Sequence, residues 1–230
     1  MNEFRTNGSV LREHLQLDGL EILDVGSGAG RLVRYMTRHG ATVVGLECGA
    51  AQLAKAYEAP REGSETYVEG FGQDIPLEES RFDVAIFFNS LHHIPPEHMA
   101  TALKEAGRVT KSSGILYIAE PVAQGSSFEL GASIDDETEV RALALQALTD
   151  ASTSNSVWAS TQEITYSTAY YYADYDDFRS ESIRIDPARE AIFQASDDAF
   201  KAHFHALGVL EEKGYRFDQP MRVNILKKSK

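Results

Sequence analysis

Cysteine, basic charge and long apolar runs are all scarce in this chain. Cys48 is the single cysteine among 230 residues, so no intrachain disulfide can form, as suits a reducing compartment. Lys and Arg number 22 against 35 Asp and Glu, a formal net charge of −13 at pH 7. A chain this acidic has no basic face with which to follow a phosphate backbone, which argues against DNA, tRNA or rRNA as a partner. The basic run Lys227, Lys228 and Lys230 is too short to reverse that and reads as a solvated tail. No apolar stretch approaches the length of a membrane span. The first residues also lack the basic-then-apolar pattern of a secretory signal. These absences predict a soluble cytoplasmic protein that uses neither membrane nor nucleic acid. Metal ligation is not expected either. His92, His93 and His98 lie in a Pro-interrupted stretch, His203 and His205 point to different helix faces, and no H-E-x-x-H spacing occurs.

What the chain does have is concentrated in residues 21–31, Glu-Ile-Leu-Asp-Val-Gly-Ser-Gly-Ala-Gly-Arg. An apolar strand, Ile22 to Val25, runs into glycines at alternate positions, Gly26, Gly28 and Gly30, and a helix-like stretch from Arg31 to His39 follows at once. Glycines at this spacing let the backbone turn tightly and a ligand approach without Cβ obstruction. They also turn the unpaired N–H groups of the following helix toward that ligand. The pattern is a strand–loop–helix nucleotide site. A dinucleotide fingerprint needs a small residue at its third position, where this chain has Arg31, and a P-loop needs a Gly-Lys-Ser/Thr ending that is not present. Ala41 to Leu46 is a second, nearly continuous apolar strand, and it ends at Glu47, 21 residues beyond Gly26. A carboxylate at that offset can accept hydrogen bonds from both ribose hydroxyls of a nucleotide.

The Asp24-x-Gly26-x-Gly28-x-Gly30 motif followed by Glu47 resembles the class I S-adenosylmethionine-dependent methyltransferases, in particular their small-molecule "type 11" group. The match runs without a gap over residues 21–121. The resemblance implies S-adenosyl-L-methionine as cofactor, with S-adenosyl-L-homocysteine as product, held by Asp24, Gly26, Ser27, Gly28, Gly30 and Glu47, with Cys48 on the adenine side. It also implies that Gln73, Asp74 and Ile75 form the adenine loop, the carboxylate taking the exocyclic amine and Ile75 covering the ring. Phe82 to Phe88, a fourth strand, delivers Asn89-Ser90-Leu91-His92-His93 to the carboxyl edge of the sheet, where open α/β sheets bind ligands. In the family this is where the methionine part ends and the acceptor pocket begins, so Asn89 joins the cofactor set. His93, His92 and Glu120, the last at the end of the fifth strand, are the candidate general bases, needed only if the acceptor arrives protonated. Tyr170, Tyr172 and Arg179 are candidate acceptor contacts.

The implied fold is a doubly wound α/β structure with a mostly parallel seven-stranded sheet in the order 3-2-1-4-5-7-6, the last strand antiparallel. A lid or insert follows strand five. The whole of 1–230 reads as one methyltransferase domain. Residues 1–20 form a lid or cap segment and 21–121 the cofactor core. Residues 122–206 form an acceptor lid or homodimer contact, and 207–230 a terminal hairpin. Helices are expected at Gly49–Glu58, Met99–Val109, Asp136–Asp150, Tyr175–Ile183 and Pro187–Leu207, and a strand at Gln162–Tyr172. Val140, Leu143, Ala144, Ala147 and Leu148 form one apolar face. Ser112-Ser113-Gly114 reads as a turn into the fifth strand, Ala151–Ser156 as a loop, and 208–228 as the edge hairpin. The activity implied is methyl transfer to an oxygen or nitrogen of a small molecule. Two other readings stay open, a module that binds the cofactor or its product without transferring methyl, and an NAD(P)-dependent oxidoreductase.

Overall fold

Ile22, Leu23, Asp24 and Val25 are all buried, so the first strand must be covered on both faces, as in a parallel sheet lined by crossover helices. The computed structural model describes residues 4–153 and 157–229. In chain order they form α1 (Asn7–His14), β1 (Glu21–Val25), α2 (Arg31–Arg38), β2 (Thr42–Glu47), α3 (Ala50–Glu58), β3 (Thr66–Glu69) and β4 (Phe82–Phe88). A 3₁₀ turn (Leu91–His93), α4 (Pro96–Val109), β5 (Thr110–Pro121), α5 (Ser126–Ala132) and α6 (Thr138–Asp150) follow. The chain closes with β6 (Trp158–Tyr172), α7 (Tyr175–Ile185), α8 (Arg189–Leu207), β7 (Val209–Glu211) and β8 (Gly214–Lys228). The sheet runs β3-β2-β1-β4-β5-β8-β6, with short β7 pairing only with β8. Strands β1 to β5 pair in parallel, and β7 with β8 is antiparallel. With β7 set aside this is the expected order 3-2-1-4-5-7-6.

By its internal contacts the chain divides into two compact units. The larger comprises Gly8–Glu120, Val140–Thr165 and Arg222–Lys230. Its core joins Leu23, Val25, Val44, Leu46, Ala85 and Phe87 of the sheet to Met99, Ala102, Leu103 and Ala106 of α4. Trp158 is buried in that core and donates its indole N–H to the Leu103 carbonyl at 2.9 Å, so its one polar atom is satisfied. The smaller unit includes Pro121–Glu139 and Tyr166–Met221. It is held by an aromatic core of Tyr175, Phe178, Phe193, Phe200, Phe204 and Phe217. Several of these rings meet edge-on, the arrangement their quadrupoles favour. Residues at the start of the chain strap onto this unit. The Arg5 amide donates to the Ser167 carbonyl at 2.9 Å, and the Tyr166 hydroxyl donates to Asn7 at 2.7 Å.

Several expectations need correction. The last strand is not the edge: β8 lies between β5 and β6, and β6 is the outer strand. Ser112–Gly114 turns within β5 rather than before it. Phe82 pairs with Thr110 and Val84 with Ile115, so the intervening β5 residues bulge out, with Ser113 at φ 74°. The seven-residue helix α5 was not foreseen, because Gly125 and Gly131 mask it as loop. Leu143 is exposed although Ala144 and Leu148 beside it are buried, so the apolar face of α6 is narrower than its sequence suggests. Pro187 precedes α8 instead of opening it, and Ser196 leaves helical geometry (φ −152°, ψ 37°), kinking that helix. Residues 154–156 of the expected 151–156 loop lie outside the described residues. Among the described residues no helix is long and apolar enough to cross a membrane.

Phe204 is fully buried amid Tyr172, Tyr175, Phe178, Tyr215 and Phe217. Phe204→Ala is therefore expected to cost about 3–5 kcal/mol, read as a lowered urea midpoint. A loss below about 1 kcal/mol would mean that these rings do not form a packed core.

Candidate active site

All three glycines of the loop after β1 have positive φ, but they serve different ends. A Cβ on Gly26 (φ 76°) would stand 2.6 Å from Ser90 Cβ, and one on Gly30 (φ 72°) 2.2 Å from the Tyr67 hydroxyl. Those two positions are bare so that neighbouring side chains can close in. A Cβ on Gly28 (φ 54°) would meet nothing within 4 Å. This is the point at which a ligand can reach the backbone.

The loop is fastened from β2. The amides of Gly26 and Ser27 both donate to the Leu46 carbonyl, at 2.8 and 3.0 Å. Glu47, at the carboxyl end of β2, accepts from the Gly28 amide at 2.7 Å through one oxygen and from the Gly49 amide at 2.8 Å through the other. Asp24 is buried beneath the loop. Burial, and secondly the charge of Glu47, push its carboxyl up from the ordinary range to about 7. Ser27 Oγ and Asn89 Oδ1 are buried without a hydrogen-bond partner among the described residues, and Asn89 holds φ 52°. Buried polar atoms are seldom left so in a finished site, and these two belong to the loops that follow β1 and β4, which fits a polar ligand at that sheet edge.

The loop expected to hold adenine differs from its sequence reading. Ile75 is 3% exposed and belongs to the core of the larger unit. Its amide donates to Glu105 and its carbonyl accepts from Arg108, both on α4, so its side chain presents no surface with which to cover a ring. That expectation is corrected. Asp74 stands exposed and Gln73 half-buried on the same loop. The exposed apolar side chain here is Phe71, 58% accessible, two residues past the end of β3. Its signal in the sequence is an aromatic residue flanked by Gly70 and Gly72. Cys48 is exposed, and burial of its thiol together with the nearby Glu47 charge raises its pKa, so it is not a poised nucleophile.

Asn89 to His93 leave β4 as a tight turn organised by Glu120. One oxygen of the buried Glu120 carboxylate accepts from the Ser90 amide at 3.1 Å and the Leu91 amide at 3.0 Å. The other faces Nδ1 of the buried His92 in a close contact. Ser90 in turn donates its hydroxyl to the Val25 carbonyl at 2.6 Å, which ties this turn to the glycine loop. His93 is exposed, with its ring centroid 4.1 Å from that of His92. The three candidate bases are thus brought together, but Glu120 already serves as a structural acceptor.

Tyr170, Tyr172 and Arg179 belong to the smaller unit. Tyr172 packs against Phe178, Phe204 and Phe217, and burial raises its phenol to about 12. Arg179 pairs with Glu190 and Asp197 and lies over the Phe193 ring. Both have structural work there, while Tyr170 remains partly exposed.

Residues 23–118 match the family described as Methyltransferase domain. An uncharacterized methyltransferase of Synechocystis is 32% identical over 103 residues, 44% of this chain and 47% of that protein. A malonyl-[acyl-carrier protein] O-methyltransferase of Pectobacterium atrosepticum is 33% identical over 112 residues, 49% of this chain and 42% of that one. The chain thus spans about half the length of the curated relatives it matches. Among solved structures, a putative methyltransferase from Bacillus halodurans superposes with a TM-score of 0.63 at 17% identity, covering 97% of this chain and 99% of that one. The [4+2]-cyclase SpnF gives 0.63 at 20% identity, with 96% of this chain and 79% of that one covered. These likenesses show the fold. Residues 23–118 thus resemble a methyltransferase domain.

Gly26 and Gly28 separate folding from binding. Gly26→Ala is expected to cost about 1–3 kcal/mol of stability by crowding Ser90. Gly28→Ala should cost about 1–2 kcal/mol from left-handed backbone strain alone, yet weaken nucleotide binding more than any other single change in the loop. Paired urea melts and ligand titrations would read this, and equal binding by Gly28→Ala and the parent would remove Gly28 from the site.

Proposed function

We propose that this protein transfers a methyl group from S-adenosylmethionine to an oxygen or nitrogen atom of a small-molecule acceptor. The observation that carries the reading is the open approach to the Gly28 backbone beside the Glu47 carboxylate, with Ser27 Oγ and Asn89 Oδ1 buried and unpartnered among the described residues in the loops after β1 and β4. The matched domain and the O-methyltransferase name of one relative support it.

When bound, the cofactor supplies an electrophilic methyl group on a sulfonium that leaves as a neutral thioether. The residues of this chain bind and orient. Glu47 accepts the ribose hydroxyls, exchanging its present amide donors for them. Gly26, Ser27, Gly28 and Gly30 line the nucleotide, with Asp24 beneath and Asn89 toward the methyl-transfer end. Phe71 takes the ring-covering part that Ile75 does not, with Gln73, Asp74 and Cys48 on the same rim. Where the acceptor arrives protonated, the proton goes to the His92–His93 pair, with Glu120 as positioning residue for His92. Arg31 at the third fingerprint position disfavours a nicotinamide cofactor.

The test is calorimetric titration with S-adenosylmethionine, S-adenosylhomocysteine and NADH, followed by transfer of labelled methyl to an acceptor panel. Binding of the adenosyl compounds alone is expected, and NADH binding alone would overturn the reading. Glu47→Ala should weaken adenosyl binding by about 1–3 kcal/mol in a protein that still folds. Phe71→Ala should cost about 1–3 kcal/mol for every adenine compound alike, and unchanged affinity would return Phe71 to the ordinary surface. Adenosyl binding with no methyl transfer to any acceptor would favour a binding module.

A further inference from the structure

Three carboxylates stand at or near the carboxyl edge of β1, β2 and β5, and two of them are satisfied. Glu47 has the Gly28 and Gly49 amides, and Glu120 has the Ser90 and Leu91 amides and His92. Asp24 is the third. It is 2% exposed and receives no hydrogen bond or ion pair from any described residue. Its surroundings offer no cation. From β2 it faces the Glu47 charge, and from β3 the Tyr67 phenol, itself raised chiefly by burial. Its register partners on the flanking strands are Gly45 on β2 and Ile86 on β4, neither of which titrates. The nearby α2 cation, Arg34, is turned to the Ala29 carbonyl and the Tyr67 hydroxyl. A carboxylate in such a place, beside a second negative charge, is held as the neutral acid.

We propose that Asp24 is a proton-linked element of cofactor capture, neutral in the unliganded chain and ionised once a cationic nucleotide cofactor is bound, so that binding releases a proton to solvent. This rests on the reading of the glycine loop as an S-adenosylmethionine site. It adds that on the acid side of neutrality Asp24 brings no further negative charge to the site until the cation arrives. The sign follows. Burial and the Glu47 charge push the Asp24 carboxyl up to about 7 in the free protein, and a bound cation would lower it, so affinity should rise with pH between those two values and level off above the upper one.

The experiment is calorimetry with S-adenosylmethionine at several pH values from 5 to 8, each in two buffers of different ionisation enthalpy, on the parent chain and on Asp24→Asn. In the parent, affinity should rise up to about tenfold per pH unit on the acid side of neutrality, with close to one proton released near pH 6. In Asp24→Asn the rise and the release should both disappear, leaving only the titration of the ligand itself. Adenosine, which lacks the cationic part, should show no proton release with either protein. Binding by the parent with flat affinity and no buffer dependence would overturn the proposal while leaving the site intact. No binding at any pH would overturn the site reading and the proposal with it. The buffer comparison on the parent stands whether or not the variant folds.

Discussion

The missing side chain at Gly26 is the constraint on which the rest of the site depends. Because that position is bare, Ser90 closes on the end of β1 and its hydroxyl reaches the Val25 carbonyl. The same turn is fixed to β5 by the Asn89 amide on Ala119 and by two amides on Glu120. On the other flank, the Gly26 and Ser27 amides share one β2 carbonyl. The ends of four parallel strands are therefore cross-bonded through a single glycine. A parallel sheet leaves its carboxyl edge with unpaired groups. Here most are paired internally, and the ones left over mark where a ligand belongs.

That economy of donors also sorts the acids. Glu47 and Glu120 each have backbone amides pointing at them. Asp24 has none, so burial decides its state. Its carboxyl is raised to about 7, whereas in the unfolded chain it would ionise near 3.8. Between those values the folded form holds a proton that the unfolded form has lost, so this group's contribution to stability falls as pH rises from about 4 to about 7. A buried acid that weakens the fold at neutral pH is a poor structural choice and a reasonable functional one.

The sequence reading located the strands well because buried parallel strands are short, continuous apolar runs, and Ile22–Val25 and Phe82–Phe88 are unmistakable in that respect. The glycine loop and Glu47 were legible for the same reason: their spacing is local. The burial of Ile75 is not legible in the sequence, because an apolar residue in an Asp-x-Pro loop looks alike whether it faces a ligand or the core. Only Glu105 and Arg108, some thirty residues away, decide between the two. The packing of Tyr172 and Arg179 is hidden from the sequence in the same way, since their partners Phe204, Phe217, Glu190 and Asp197 come from later parts of the chain. The turn at 208–228 by itself reads as an edge hairpin, whereas the strand order that the resemblance implies sets the last strand beside the fifth, where β8 lies.

The fold leaves the chemistry to a few side chains, as the equal superposition on a methyltransferase and a [4+2]-cyclase makes plain. In this chain the choice narrows at Glu120. A carboxylate whose oxygens already accept two amides and face an imidazole has little capacity left to take a proton from an acceptor. What the geometry gives it is a contact with His92 Nδ1 that fixes the orientation of that ring, the service a carboxylate renders to histidine in many sites. An amine that arrives neutral needs no such pair, because its lone pair is already available. A hydroxyl does need one, because its oxygen becomes a strong nucleophile only as the proton leaves.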